Sequence, residues 1–155
     1  MFEPQHTVNT VPASGAGRTP ALHALVTTAR AAGTEVWLTD PGERHHDLAD
    51  HVDRHGAGVP GSIALLEAAA ALIRERQDAA FAEGAHSSEP AVRVLVTDLP
   101  AMIQRPEVAE LLERILRTGR KAGVLETVIE ETGRDAFPGH PYLRGQFATL
   151  RSSGC

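Results

Sequence analysis

A chain of 155 residues with 42% hydrophobic and 23% charged side chains has the size and composition of one globular domain with a buried core. Its formal net charge of −5 argues against a generally basic surface that coats nucleic acid, and no apolar run approaches the length of a membrane span. The single cysteine, Cys155, excludes an internal disulfide and a cysteine-built zinc site, and residues 1–10 lack the basic start and apolar stretch of a signal peptide, so a cytoplasmic domain is expected.

His6 to Val11 alternates β-branched and polar residues and predicts a strand. It runs directly into Pro12 to Thr19, read P-A-S-G-A-G-R-T. The phosphate-binding pattern G-x-x-x-x-G-K-[ST] needs small residues so that backbone N–H groups reach phosphate oxygens, a lysine to neutralise charge, and a hydroxyl to hold magnesium. Gly15, Gly17 and Thr19 fit it, whereas Pro12 stands at the first glycine and Arg18 at the lysine. All but one of the 15 basic residues are arginine, Lys121 being the exception, so lysine-to-arginine drift is easy in this background. The two are still not interchangeable where a compact ammonium must reach between phosphates.

Leu22, Leu25, Val26 and Ala29 recur at helical spacing until Gly33 closes the segment. Thr34 to Thr39 predicts a short strand ending in the turn Asp40-Pro41-Gly42. The polar, histidine-rich stretch from Glu43 to Gly58 carries no clear element. If it were helical, Asp47, His51 and His55 would share one face, and a histidine pair at i, i+4 can bind zinc, although no H-E-x-x-H is present.

Ser62 to Ala82 predicts an amphipathic helix and Glu83 to Pro90 a loop. Ala91 to Thr97 is a nearly continuous apolar run, as in a buried parallel strand, and stops at Asp98. An aspartate there is placed either for a magnesium ion or as a capping or turn residue before Pro100. Pro106 opens a helix with the stripe Val108, Leu111, Leu112, Ile115 and Leu116 that ends near Gly123. Arg120 and Lys121 read as a basic helix end.

Val124 to Glu131 is β-branched enough for a strand, but its glutamates make it a poor central one. Alternation puts Glu126 and Glu130 on one face and Glu131 on the other, which gives little support to a paired-carboxylate glycosidase. Gly133 to Pro141 is a loop and Phe147 to Arg151 a last short strand. Strands alternating with helices imply a mostly parallel sheet with ligand at the carboxyl ends of the strands.

The order of these motifs resembles the motor domain of the FtsK/SpoIIIE family of DNA-pumping ATPases, including its plasmid-transfer and type VII secretion relatives. That family shows a P-H before the first strand, a T-G-S-G-K-S loop, a D-P-K-G turn, an apolar strand ending D-E, and a helix leading to G-R-A-x-G-I-H and a strand ending A-T-Q. The chain offers Gln5-His6, Ser14-Gly15-Ala16-Gly17-Arg18-Thr19, Asp40-Pro41-Gly42, Val94 to Asp98, and Gly119-Arg120-Lys121-Ala122-Gly123-Val124. The matches run from about Gln5 to Ser153, the last being the most specific.

The resemblance implies an α/β fold: a RecA-like P-loop NTPase three-layer sandwich with a mostly parallel sheet, in one domain over residues 1–155 and incomplete at its C-terminal end. It implies ATP held by Ser14, Gly15, Ala16, Gly17, Arg18 and Thr19, and Mg2+ held by Thr19 and Asp98. It also implies double-stranded DNA as a partner and a homo- or hetero-oligomeric ring. The departures fall on chemistry. Leu99 replaces the glutamate that polarises the attacking water, Glu131 stands where a glutamine senses phosphate, and Pro12 removes a backbone donor. The expectation is therefore an ATP-binding domain with weak or absent hydrolysis. The alternative is a non-catalytic interaction or regulatory module of a conjugation or type VII secretion machine.

Overall fold

In the computed structural model, which describes residues 5–13, 15–83 and 90–151, strand and helix alternate from the start. The elements are β1 (Thr7–Val11), α1 (Gly15–Ala31), β2 (Glu35–Asp40), a 3-10 turn (His46–His51), β3 (Arg54–Ala57), α2 (Gly58–Glu83), β4 (Val92–Val96), a second 3-10 turn (Leu99–Ala101), α3 (Pro106–Thr118), β5 (Val124–Glu131), α4 (Pro141–Arg144) and β6 (Ala148–Arg151). All the strand pairings are parallel, in the order β3-β2-β4-β5-β1-β6. The strand that feeds the glycine loop and the strand that ends at Asp98 are thus separated only by β5.

Side chains on successive strand residues point to opposite faces, and each face has its own helix layer. Val11, Val36, Leu38, Leu95 and Ile129 pack with Leu22 and Val26 of α1. Val8, Val94, Val96, Val124 and Val128 pack with Leu66 and Ile73 of α2 and Leu112 and Ile115 of α3. The result is a helix–sheet–helix sandwich, built from strands buried on both faces and therefore rich in valine, leucine and isoleucine.

Three expectations need correction. The polar stretch from Glu43 to Gly58 holds a 3-10 turn and the edge strand β3, whose sequence RHGA has no apolar alternation to announce it. Its pairing with β2 supplies what its composition lacks. α2 starts at Gly58 and α3 stops at Thr118, since helix ends follow backbone turns rather than the apolar stripe. β5 is central, pairing with β4 on one side and β1 on the other despite its glutamates. The loop expected over Glu83 to Pro90 lies mostly outside the described residues.

β5 tolerates its carboxylates in two different ways. Glu130 receives both Arg144 Nε at 3.1 Å and the backbone N–H of Ala136 at 3.0 Å, so burial pushes its carboxyl up but the Arg144 hydrogen bond and the Ala136 N–H outweigh it and hold it low. Glu126 is 0% exposed and its two oxygens have no hydrogen-bond partner, so burial raises its pKa well above the ordinary value and favours the neutral carboxyl. Beside it, His6 Nδ1 accepts the Glu126 backbone N–H at 3.0 Å. Burial first, then the charges of Arg93 and Arg120, lower His6 to about 4.

The two groups give opposite pH dependences. The unfolded chain takes up a proton on His6 near 6.5 that the folded chain refuses until about 4, so this contribution to stability is lost as pH falls through that window. Glu126, raised in the folded state, destabilises as pH rises from the ordinary glutamate value through its own. Glu126→Leu is expected to stabilise the domain at pH 7 by about 1–3 kcal/mol and to flatten the alkaline side of its stability profile, read from urea midpoints across pH. An unchanged or lower midpoint would mean that the Glu126 carboxyl is paid back by partners within the fold.

Candidate functional site

At the carboxyl ends of β2 and β4 the chain builds a polar cluster from the bottom up. β2 ends on Asp40, which is 0% exposed, and the turn Pro41-Gly42 reverses the chain so that the next backbone N–H groups point back at its carboxylate. Arg44 N donates to Oδ1 at 2.8 Å, and His45 N to Oδ2 at 3.0 Å. His55, from β3, brings Nε2 to 3.0 Å from the same Oδ2. Burial pushes the Asp40 carboxyl up, but the His55 hydrogen bond and the N–H groups of Arg44 and His45 outweigh it and hold it below the ordinary value. The Asp40 N–H is itself satisfied by Ser62 Oγ at 3.1 Å, and Ser62 Oγ donates to Gly56 O at 3.0 Å, which ties β2, β3 and α2 together.

Asp98 follows β4 in the left-handed region, at φ 50°, and precedes the second 3-10 turn without capping it by its side chain. A non-glycine residue held there marks a site that its surroundings over-determine. Thr97 fixes the approach, its N–H on Thr39 Oγ1 at 3.1 Å and its hydroxyl on Thr39 O at 2.7 Å. Asp98 Oδ2 then lies 3.7 Å from His45 Nε2, and Oδ1 lies 4.0 Å from an Arg44 guanidinium nitrogen. Leu99, in contrast, is 0% exposed and packs in the core with Val96, Val108 and Leu112 rather than facing this cluster.

A cavity of about 180 Å³ opens over these residues, lined among others by Gly42, Arg44, His45, Asp98, Glu131 and Arg134. It has room for a phosphate-sized group, and its lining sets Arg44 and Arg134 beside the carboxylates of Asp98 and Glu131. Arg134 also pairs with Glu131 at 3.3 Å.

The residues singled out in the glycine loop fall around the first turns of α1. Gly15, Ala16, Gly17, Arg18 and Thr19 belong to that helix, with Thr19 exposed, while Ser14 lies outside the described residues. Pro20, inside the same helix, has no N–H to give to the carbonyl one turn back. Magnesium is commonly held by one or two carboxylates together with substrate phosphates, and the Asp98 carboxylate at the cavity wall fits that demand.

The zinc trio does not assemble, because the segment is not one helix. Asp47 hydrogen-bonds His23 at 3.1 Å, His51 packs edge-on against His23, and His55 sits on β3 against Asp40. The residue that sequence reasoning missed is His45. Its only sequence signal is its place five residues after Asp40, and the Asp40 carboxylate folds it back.

No family model matches the chain and no curated protein matches it in sequence. Solved structures do. EssC (ATPases 2 and 3) from Geobacillus thermodenitrificans is similar with a TM-score of 0.70 at 14% identity, over 95% of this chain and 32% of that one. The cytoplasmic domain of the type VII secretion ATPase EccC from Thermomonospora curvata gives 0.63 at 14% identity, over 94% and 20%. EccC (ATPases 2 and 3) from the same organism, in complex with a signal sequence peptide, gives 0.66 at 16% identity, over 94% and 30%. The chain therefore spans about a third or less of the solved chains it resembles. These are FtsK/SpoIIIE-like P-loop ATPases, and the fold of the present chain is their RecA-like one. Among the described residues no helix is long and apolar enough to cross a membrane.

Proposed function

We propose, from a fold shared with RecA-like P-loop ATPase domains of secretion machines, that this chain is a single nucleotide-binding domain over residues 1–155 with weak or absent turnover. The observation that supports the reading is a cavity at the carboxyl end of the sheet, with room for a phosphate group, whose lining includes Leu22 of the helix that opens with the glycine pattern, Asp98 beyond the end of β4, and Arg44 and Arg134. Backbone amides of residues 14–19 would cradle the phosphates, Arg18 would take the lysine's place, and Thr19 and Asp98 would hold Mg2+, which screens phosphate charge when bound.

The position after Asp98 offers no general base, since Leu99 is apolar and buried in the core. A glutamate at that position would bury its carboxylate, so Leu99→Glu does not by itself rebuild a catalytic site. Calorimetry with ATP and a non-hydrolysable analogue is expected to show magnesium-dependent binding that weakens about tenfold or more in Asp98→Ala, with phosphate release near background. Binding indifferent to magnesium and to Asp98 would overturn the assignment.

A second reading makes the domain a non-catalytic module of a larger assembly, in the cytoplasm and within a homo- or hetero-oligomeric ring. It is favoured by one structural neighbour having been solved with a signal sequence peptide. Double-stranded DNA as cargo is the weaker choice, given the net charge of −5. Nucleotide binding without turnover, together with co-purification in a larger complex, distinguishes this module from a motor.

A further inference from the structure

We infer that the carboxyl ends of β2 and β4 form a binding site for a first-row transition-metal dication, with His45, Asp98 and Asp40 as its protein ligands. One donor atom from each of the three lies within 4.8 Å of the other two. His45 Nε2 and Asp98 Oδ2 are 3.7 Å apart. That is too long for a hydrogen bond, but close to the about 3–3.5 Å between two ligands that share one ion at bonds of about 2.0–2.2 Å. A small side-chain rotation closes the remaining gap.

The site is built rather than incidental. His45 is 5% exposed and lines the cavity, so its imidazole is already out of bulk water while one edge faces open space. Its own N–H is fastened to Asp40 Oδ2, which fixes the loop that carries the ring. Asp40 has the outer support typical of a ligating carboxylate, a histidine N–H and two backbone N–H groups. A carboxylate oxygen has two lone pairs, so Oδ1, which takes the Arg44 N–H, keeps capacity for an ion.

The donor set decides the ion class. Magnesium prefers all-oxygen octahedra and retains its waters, whereas one imidazole with two carboxylates suits manganese, cobalt or zinc. Two carboxylates also balance the dication's charge in a half-enclosed site. The site shares Asp98 with the proposed nucleotide site but requires no nucleotide.

The test uses the metal-stripped full chain without nucleotide, titrated with Co2+ and then Zn2+. One equivalent of Co2+ is expected to develop a ligand-field absorption band, which Zn2+ displaces and millimolar Mg2+ does not. His45→Ala should weaken binding about tenfold or more, while His23→Ala, at the exposed His23–Asp47 pair, should leave it unchanged. Mn2+ should broaden the His45 ring resonances of the unmutated chain at lower equivalents than those of His140, a readout that holds even if His45→Ala folds poorly. No binding, binding unchanged by His45→Ala, or displacement by equimolar Mg2+ would overturn the inference. Adding ATP to the same sample separates the two sites, since nucleotide binding without Co2+ binding removes this proposal and leaves the other intact.

Discussion

Gly119→Ala is expected to destabilise the domain by about 3 kcal/mol or more, measured by urea unfolding, which is a large share of the stability of a chain this size. A Cβ at 119 would lie 2.2 Å from the Val124 carbonyl oxygen and 2.6 Å from that of Ile115, with the Ile73 methyl at 3.3 Å. The first two are backbone atoms that cannot swing aside. The residue's φ of −76° is open to any amino acid, so the requirement is space and not conformational freedom. Its N–H bonds Ile115 O at 2.7 Å and its carbonyl accepts the Val124 N–H at 2.8 Å, so this one glycine joins the end of α3 to the start of β5. Gly123 differs, sitting at φ 73° with no backbone atom closer than 3.8 Å to an added Cβ, and Gly123→Ala should cost only about 1 kcal/mol. Equal effects at the two positions would mean that the α3–β5 turn is looser than these distances imply. The two glycines of G-R-K-A-G-V thus serve the turn in different ways, Gly119 by close backbone approach and Gly123 by its positive φ.

Asp40→Ala is the second large effect, about 3–4 kcal/mol, because it strips one acceptor from three donors at once. The N–H groups of Arg44 and His45 and the ring of His55 would all lose their partner at a position that is 0% exposed. Asp40→Asn keeps one acceptor oxygen and should recover part of the loss. The carboxyl is held below its ordinary value of 3.8, so its contribution is present above that pH and disappears as pH falls through the folded value. Acid unfolding should therefore be steeper below pH 4 in the unmutated chain than in Asp40→Asn. Identical acid limbs would show that the hydrogen bonds do not distinguish the charged from the neutral carboxyl.

Much of the architecture is legible in the amino-acid sequence. The apolar run before Asp98, the stripe from Val108 to Leu116 and the passage from strand to glycine loop to helix each rest on a periodicity that local backbone geometry enforces. β3 was not legible, since R-H-G-A forms a strand only because β2 offers it an edge. The acidity of β5 misled for a related reason. Glu130 is paired with Arg144, fourteen residues on, and complete burial shifts Glu126 toward its neutral form, neither of which is written in the segment itself.

By itself the sequence determined the parallel α/β class, the position of the phosphate-loop pattern and the loss of a carboxylate after Asp98, because periodicity and residue identity act over a few neighbouring positions. Only the tertiary structure decided that His45, Asp40 and Asp98 converge while Asp47, His51 and His55 disperse. Convergence depends on which strand ends lie side by side and where a buried carboxylate draws the backbone. Those are long-range facts of strand order, which no spacing along the chain encodes.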